Sequence, residues 1–312
     1  MKITSDKAAL WTKTPVILAA AFFATFLWGS AFPSIKVGYS LMNIASGDSA
    51  SQMLFAGIRF FFAGIMVLLF GSFRQRSPLL IKPTSLKYVI ILMMTQTVGQ
   101  YFFFYIGLAH ASGVASSIIE ASATFFTLLA AALLFHFEKL TLTKVLGCVL
   151  GFAGVIIVQI PGQDTGTLSL TGEGFILIST LMASAAANFI KIFSKDKNAV
   201  ALSGWQFTGG GLIMALFGFL AGGHLELNTP HAILLLSYMA FISAAAYTLW
   251  GLLLSHNDVS RIAVFGFINP LVGVLLSALL LHEQNEAFSI YGILALILVC
   301  IGIITVFRKP KS

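Results

Sequence analysis

One carboxylic acid, Glu120, lies eight residues past Ser112 inside an apolar run that continues to His136. An ionisable group at that depth in a hydrocarbon-length helix marks a functional site by default, because its charge is costly in lipid. Glu120 could bind an ammonium group or a proton. Its other reading is structural neutralisation by Arg59, the basic residue inside the second apolar run. At 1.5 Å per residue Glu120 sits roughly 12 Å and Arg59 roughly 15 Å from the same end of their helices, so a pair is geometrically allowed. Gln96 and Gln100, four residues apart, share a helical face, as do Tyr101 and Tyr105. Two carboxamides there suit hydrogen bonding to a zwitterion, or else act as glue between helices at about 0.6 kcal/mol per bond. Asn188 is a lone intramembrane amide, and Trp28, Tyr247 and Trp250 each join an apolar ring to a polar tip. Asn269-Pro270, and Pro33 between Ser30 and Ser34, free a backbone carbonyl one turn earlier. In lipid such a carbonyl must be satisfied by protein or cavity water, so both prolines are candidate kinks beside a cavity.

These residues need a bilayer around them. The 312-residue chain is 58% hydrophobic and 9% charged, with mean hydropathy +0.95, against about 25% charged in a soluble protein. Apolar runs of spanning length occur at about 15–39, 49–72, 86–109, 112–136, 143–160, 172–194, 199–222, 231–255, 259–281 and 287–307. The first is read as a retained helix rather than a signal peptide, since it continues for about 25 residues. With the N-terminus inside, 16 of the 18 lysines and arginines fall in inner segments, Lys36 and Arg59 excepted. That bias places both termini in the cytoplasm. The net charge of +7 resides in short loops between apolar runs and does not form a footprint for nucleic acid. Cys148 and Cys300 each lie in an apolar run, and neither a disulfide framework nor metal spacing is available. No phosphate-binding glycine loop, paired acids or Ser–His set is apparent, so neither ATP drive nor enzymatic chemistry is expected, and no cofactor is implied.

A repeat organises the runs. Gly57–Gly71 matches Gly204–Gly218 at an offset of 147, with Phe60/Phe207, Gly64/Gly211, Phe70/Phe217 and Gly71/Gly218 identical. Tyr101/Tyr247 and His110/His256 match at 146, and Glu138/Glu283 and Gly147/Gly292 at 145. Five spans per copy is an odd number, so the second copy is inverted, the architecture of alternating-access transporters. The expected fold is therefore an all-α integral membrane protein of ten transmembrane helices as two inverted five-helix repeats. A cytoplasmic tail (1–14) leads to the first repeat (15–160), a periplasmic linker (161–171), the second repeat (172–307) and a second cytoplasmic tail (308–312).

Trp28-Gly29-Ser30-Ala31-Phe32, Arg59-Phe60, Thr127–Glu138, Trp205-Gln206-Phe207, Tyr247, Asn269-Pro270-Leu271 and Leu280–Glu283 together resemble the EamA-type family of the drug/metabolite transporter superfamily. The resemblance covers about residues 15–307. It implies a central substrate cavity lined mainly by helices 1, 3, 4, 6, 8 and 9, and transport of small metabolites, often amino acids and often outward. It favours Trp28 and Tyr247 as cavity residues. The family usually carries a proline in helix 4 matching Pro270; this chain has Ala123-Thr124-Phe125 there, so the resemblance does not imply a break in helix 4.

The expected function is a secondary transporter or facilitator of an amino acid or amine in the bacterial inner membrane. Expected substrate contacts are Trp28, Ser30, Gln96, Gln100, Tyr101, Glu120, Asn188, Tyr247 and Asn269. Arg59 supplies a coupling or structural charge, and the partners are a small molecule, lipids and, where Glu120 couples transport, protons. One acid and several amides fit that cargo better than a polyanion. A cationic drug exporter, using Glu120 and the aromatics, and a membrane subunit without transport of its own are the alternatives. The sequence leaves monomer against homodimer open. Glu138 and Glu283 are expected to anchor helix ends, and Lys36 either to attract anions or to snorkel to the interface.

Overall fold

The computed structural model describes residues 10–136, 139–158, 169–193, 197–257, 262 and 264–307, and these contain helices and no strand. The longer helical runs are α1 (Thr14–Leu41), α2 (Ser49–Gln75), α3 (Pro83–His110), α4 (Gly113–Leu133), α5 (Leu142–Ile157), α6 (Leu170–Phe193), α7 (Ala199–Leu220), α8 (Pro230–His256), α9 (Ile268–Leu280, entered through a 3-10 turn at Val264–Phe267) and α10 (Ile290–Phe307), with one helical turn at Gln284–Ala287 between the last two. Seven of them, α1–α4 and α6–α8, are long and apolar enough to cross a membrane; α5, α9 and α10 are apolar but shorter, and each adjoins residues outside the described range. Starts follow side-chain chemistry. Asp48, Ser112, Thr141, Asn198 and Thr229 accept backbone N–H groups from the first turns of α2, α4, α5, α7 and α8, satisfying donors that lack an intrahelical partner.

The most extensive packing joins α2 to α7, and α5 to α10 follows. Backbones meet directly at α2–α7. A Cβ on Gly57 would run into the backbone of Ala215 and lie 2.7 Å from the Gly211 carbonyl. On Gly211 it would strike the Phe61 nitrogen and lie 2.8 Å from the Gly57 carbonyl, and on Gly64 it would lie 2.7 Å from that of Gly204. In α5–α10, a Cβ on Gly302 would lie 2.7 Å from the Gly147 carbonyl. Small residues permit this approach, which drives helix association in lipid through van der Waals contact.

These contacts follow an approximate two-fold relation. Exchanging each glycine for its repeat mate turns the Gly57–Gly211 contact into Gly204–Gly64, and the two helices run antiparallel. Residues on such an axis touch their own mates. Phe60 and Phe207 stack with centroids 5.6 Å apart, and the Tyr101 and Tyr247 hydroxyls are 3.0 Å apart. In the same way α1 packs on α8 and α9, while α6 packs on α3 and α4.

Two local features depart from simple expectation. Helix α4 is interrupted after Glu120: Gly113–Glu120 and Ser122–Leu133 meet at Ala121, where the Thr124 N–H reaches the Ala121 carbonyl at 3.2 Å. The missing proline does not prevent a break. At offset 145 Ala121 corresponds to Gly266 in the 3-10 turn before α9, where Pro270 has no N–H to offer the Gly266 carbonyl. Both copies are thus interrupted at matching positions, one with a proline and one without. Helix α1, by contrast, stays helical through Pro33. The second departure is in α3, where Met93–Gln100 winds as a π-helix, a geometry often found at functional sites.

The close approach of α2 and α7 predicts opposite effects of one substitution at two glycines. Gly211→Ala should destabilise by about 1–3 kcal/mol or more through overpacking. Gly251→Ala, with open space around its Cβ, should stabilise by about 0.5–1 kcal/mol through helix propensity. Thermal melts of the detergent-solubilised variants read both signs.

Candidate functional site

The break in α4 places Glu120 at the end of a helical segment. Its Oε2 accepts a hydrogen bond from Ser179 Oγ of α6 at 3.1 Å, and the residue keeps partial exposure within the bundle. Among the described residues no ion pair joins it to Arg59. The guanidinium is buried and held by neutral acceptors: Nε donates to the Met239 carbonyl at 3.0 Å and an Nη atom to the Tyr105 hydroxyl at 2.7 Å. It also lies 5.0 Å from the Phe60 ring centroid. Tyr39 in turn donates to the Tyr105 carbonyl at 2.8 Å. Arg59 therefore ties α2 to α3 and α8.

The two glutamines of α3 part company. Gln96 Oε1 accepts from Gln206 Nε2 of α7 at 2.6 Å, and Gln206 Oε1 accepts from Thr97 Oγ at 2.6 Å. The π winding brings Gln96 and Thr97 to one partner, which an α-helical count of four does not suggest. Gln100 is buried, and its Oε1 has no partner among the described residues; the same holds for Asn269 Oδ1. A buried acceptor without a donor costs about 1–3 kcal/mol, which a donor-bearing ligand or water would relieve.

Aromatic rings surround the axis. Trp28 meets Tyr247 and Trp250 edge-on, each with centroids 5.3 Å apart. Tyr101 lies 4.1 Å from Phe60, and Phe207 lies 4.9 Å from Tyr247. Trp28, Tyr247 and Asn269, like Glu120, retain partial exposure. Ser30 Oγ bonds the Tyr238 hydroxyl at 2.8 Å. Asn188 is buried and gives its amide to the Ser184 and Thr127 carbonyls at 3.0 and 3.2 Å, which ties α6 to α4. Ser179, Gln206 and Tyr238 had no part in the sequence reading of the site as contacts. Gln206 was visible only within the Trp205-Gln206-Phe207 motif, and a lone serine or tyrosine in an apolar run gives no signal.

A second polar cluster sits at the end of the bundle that the charge bias expects outside. Glu283 accepts from the backbone N–H groups of Gly113 and Val114 at 3.0 and 2.9 Å. Lys36 bonds the Ala111 carbonyl at 2.7 Å and Glu283 at 3.3 Å. Lys36 thus has a carboxylate partner, and Glu283 anchors the start of α4. Glu138, its repeat mate, lies outside the described residues. Glu286 accepts from Ser112 Oγ at 2.7 Å. Burial pushes its carboxyl up to about 7; Ser112 and Lys36 oppose the rise, while Glu283 and Glu173 add to it.

The EamA-like transporter family model matches residues 15–160 and again 170–308. Among curated proteins the chain is 24% identical to the Bacillus subtilis (strain 168) protein named Uncharacterized transporter YvbV, over 96% of this chain and 93% of that one. It is 28% identical to an Uncharacterized transporter of Archaeoglobus fulgidus, covering 94% and 98%. It is 26% identical to a Probable amino-acid metabolite efflux pump of Salmonella typhimurium (strain LT2), covering 87% and 89%. A solved crystal structure superposes with TM-score 0.62 at 18% identity, covering 92% and 96% of the two chains, a likeness of fold.

The raised Glu286 carboxyl gives a signed pH dependence. Between about pH 4.5 and 7 the folded state binds more protons at Glu286 than the unfolded state. Its contribution is therefore greatest below about pH 4.5 and is lost as pH rises towards 7. The melting temperature of purified protein should fall across that window, and Glu286→Gln should flatten the fall.

Proposed function

The chain belongs to the EamA-like transporter family, and we propose that it carries a small solute bearing a primary ammonium, an amino acid or amine, across the bilayer. It is a multi-pass membrane transporter rather than an enzyme. In the proposed arrangement ten spans form two inverted five-helix halves with both termini cytoplasmic, and the halves rock about the axis through Tyr101–Tyr247 and Phe60–Phe207.

The observation that carries the choice of cargo is a surplus of acceptors. Among the described residues Glu120 accepts only from the Ser179 hydroxyl, Arg59 is occupied by Tyr105 and Met239, and Gln100 Oε1 and Asn269 Oδ1 have no donor. An ammonium group offers three N–H donors and a positive charge, whereas a polyanion would find acceptors where it needs cations. The relative named as an amino-acid metabolite efflux pump supports the same cargo and the outward direction. A bulky organic cation is the competing cargo, favoured by the edge-on Trp28–Tyr247–Trp250 cluster, because aromatic faces attract cations.

Thermal stabilisation of purified protein across amino acids, amines and quaternary drug cations decides between them. A primary amine or amino acid should raise the melting temperature, and Glu120→Gln should abolish the rise. Stabilisation confined to quaternary cations selects the competing cargo, and identical profiles for wild type and Glu120→Gln refute the site. In proteoliposomes the same variant should lose pH-driven flux where a proton shares Glu120 with the cargo; unchanged pH dependence rules that coupling out.

A further inference from the structure

The polar cluster at the start of α4 does more than cap a helix. Glu283 enters from the segment after α9 and takes both N–H groups of Gly113 and Val114. Lys36 enters from α1 and bonds both the Ala111 carbonyl and Glu283. Glu286 adds a bond to the cap residue, Ser112. Below these bonds Gly113 packs so closely on α9 that a Cβ there would lie 2.5 Å from Ser277 Oγ. Three elements from both halves of the chain are therefore tied at one point. That point is the top of the helical segment that ends at Glu120, roughly 12 Å deeper.

The second copy carries matching residue types in sequence. Ala31, Ile35 and Lys36 of α1 align with Ala186, Ile190 and Lys191 of α6 at an offset of 155, and Glu283 aligns with Glu138 at 145. The residues at the two turns share geometry as well as identity: His110 Nδ1 lies 2.9 Å from the Ile106 carbonyl, and His256 Nδ1 lies 2.9 Å from the Leu252 carbonyl. Inverted halves that rock about a central axis close one end as they open the other. The Lys36–Glu283 tie is suited to hold one closed state.

We propose that Lys36, Glu283 and the N-terminus of α4 form the latch of the outer gate, opened when the Lys36–Glu283 tie and its backbone bonds release α4. The proposal rests on the transporter reading of the fold. It does not depend on which solute is carried. Lys36 and Glu283 are partly shielded, with side-chain exposures of 24% and 15%, and the Glu283–backbone bonds are charge-assisted, the stronger class of hydrogen bond.

The test uses the full-length chain with Cys148 and Cys300 replaced by alanine and Glu120→Cys as the reporter. Right-side-out and inside-out vesicles are treated with a membrane-impermeant thiosulfonate. Lys36→Met and Glu283→Gln should each raise the labelling rate from the outer side roughly five- to tenfold and lower it from the inner side. Lys36→Arg, which keeps the charge, should label at the parent rate. Should Glu283→Gln fail to yield a monodisperse protein, Lys36→Met decides alone. An outer rate within twofold of the parent in Lys36→Met, or a rise from both sides, overturns the latch. Labelling needs no cargo, and amine binding is read separately in the protein that keeps Glu120, so a failed latch with intact amine binding there removes the gate alone. Lost amine binding with the predicted labelling shift removes the cargo alone.

Discussion

Backbone-to-backbone contact between α2 and α7 is the constraint on which the rest of this structure depends. Lipid gives helices no hydrophobic reason to associate with one another, so close approach must supply the attraction. Gly57 and Gly64 on one helix face Gly211 and Gly204 on the other, and no larger side chain fits between them. That contact sets the rotation of each helix. It carries Arg59 and Phe60 to the centre of the bundle on one side and Gln206 and Phe207 on the other. From there Arg59 reaches Tyr105, and Gln206 reaches Gln96 and Thr97.

The symmetry of that arrangement makes its exceptions informative. Tyr101 and Tyr247 are repeat mates that bond to each other, as a two-fold axis requires. Glu120 has no such mate: offset 145 places Phe265 at the corresponding position of the second copy. Glu120 is therefore a feature of the first half alone, not of the repeat. Neutral partners hold Arg59, and among the described residues no ion pair joins it to Glu120.

Much of the scaffold was legible in the sequence, because its signals are local or periodic. Run length and hydropathy placed the helices, and offsets of 147 and 146 identified Phe60/Phe207 and Tyr101/Tyr247, mates that meet in the structure. Position along a helix follows from the fixed rise per residue. Rotation does not. Glu120 and Arg59 share a depth yet have different partners, which depends on the facing of each helix after packing. The Lys36–Glu283 tie spans 247 residues, and the Gln96–Gln206 bond spans 110; neither leaves a trace in any short window. The break at Ala121 was hidden for a different reason. Proline is the usual sequence sign of a broken helix, and Phe125 stands at the position matching Pro270.

The account stands on the second five helices being an upside-down copy of the first. Reporter tags that read out on which side of the membrane they lie, inserted after residue 160 and after residue 311, test this most directly. The account predicts the first tag outside and the second in the cytoplasm. Both tags on the same side would contradict the inverted arrangement, and the rocking halves with it.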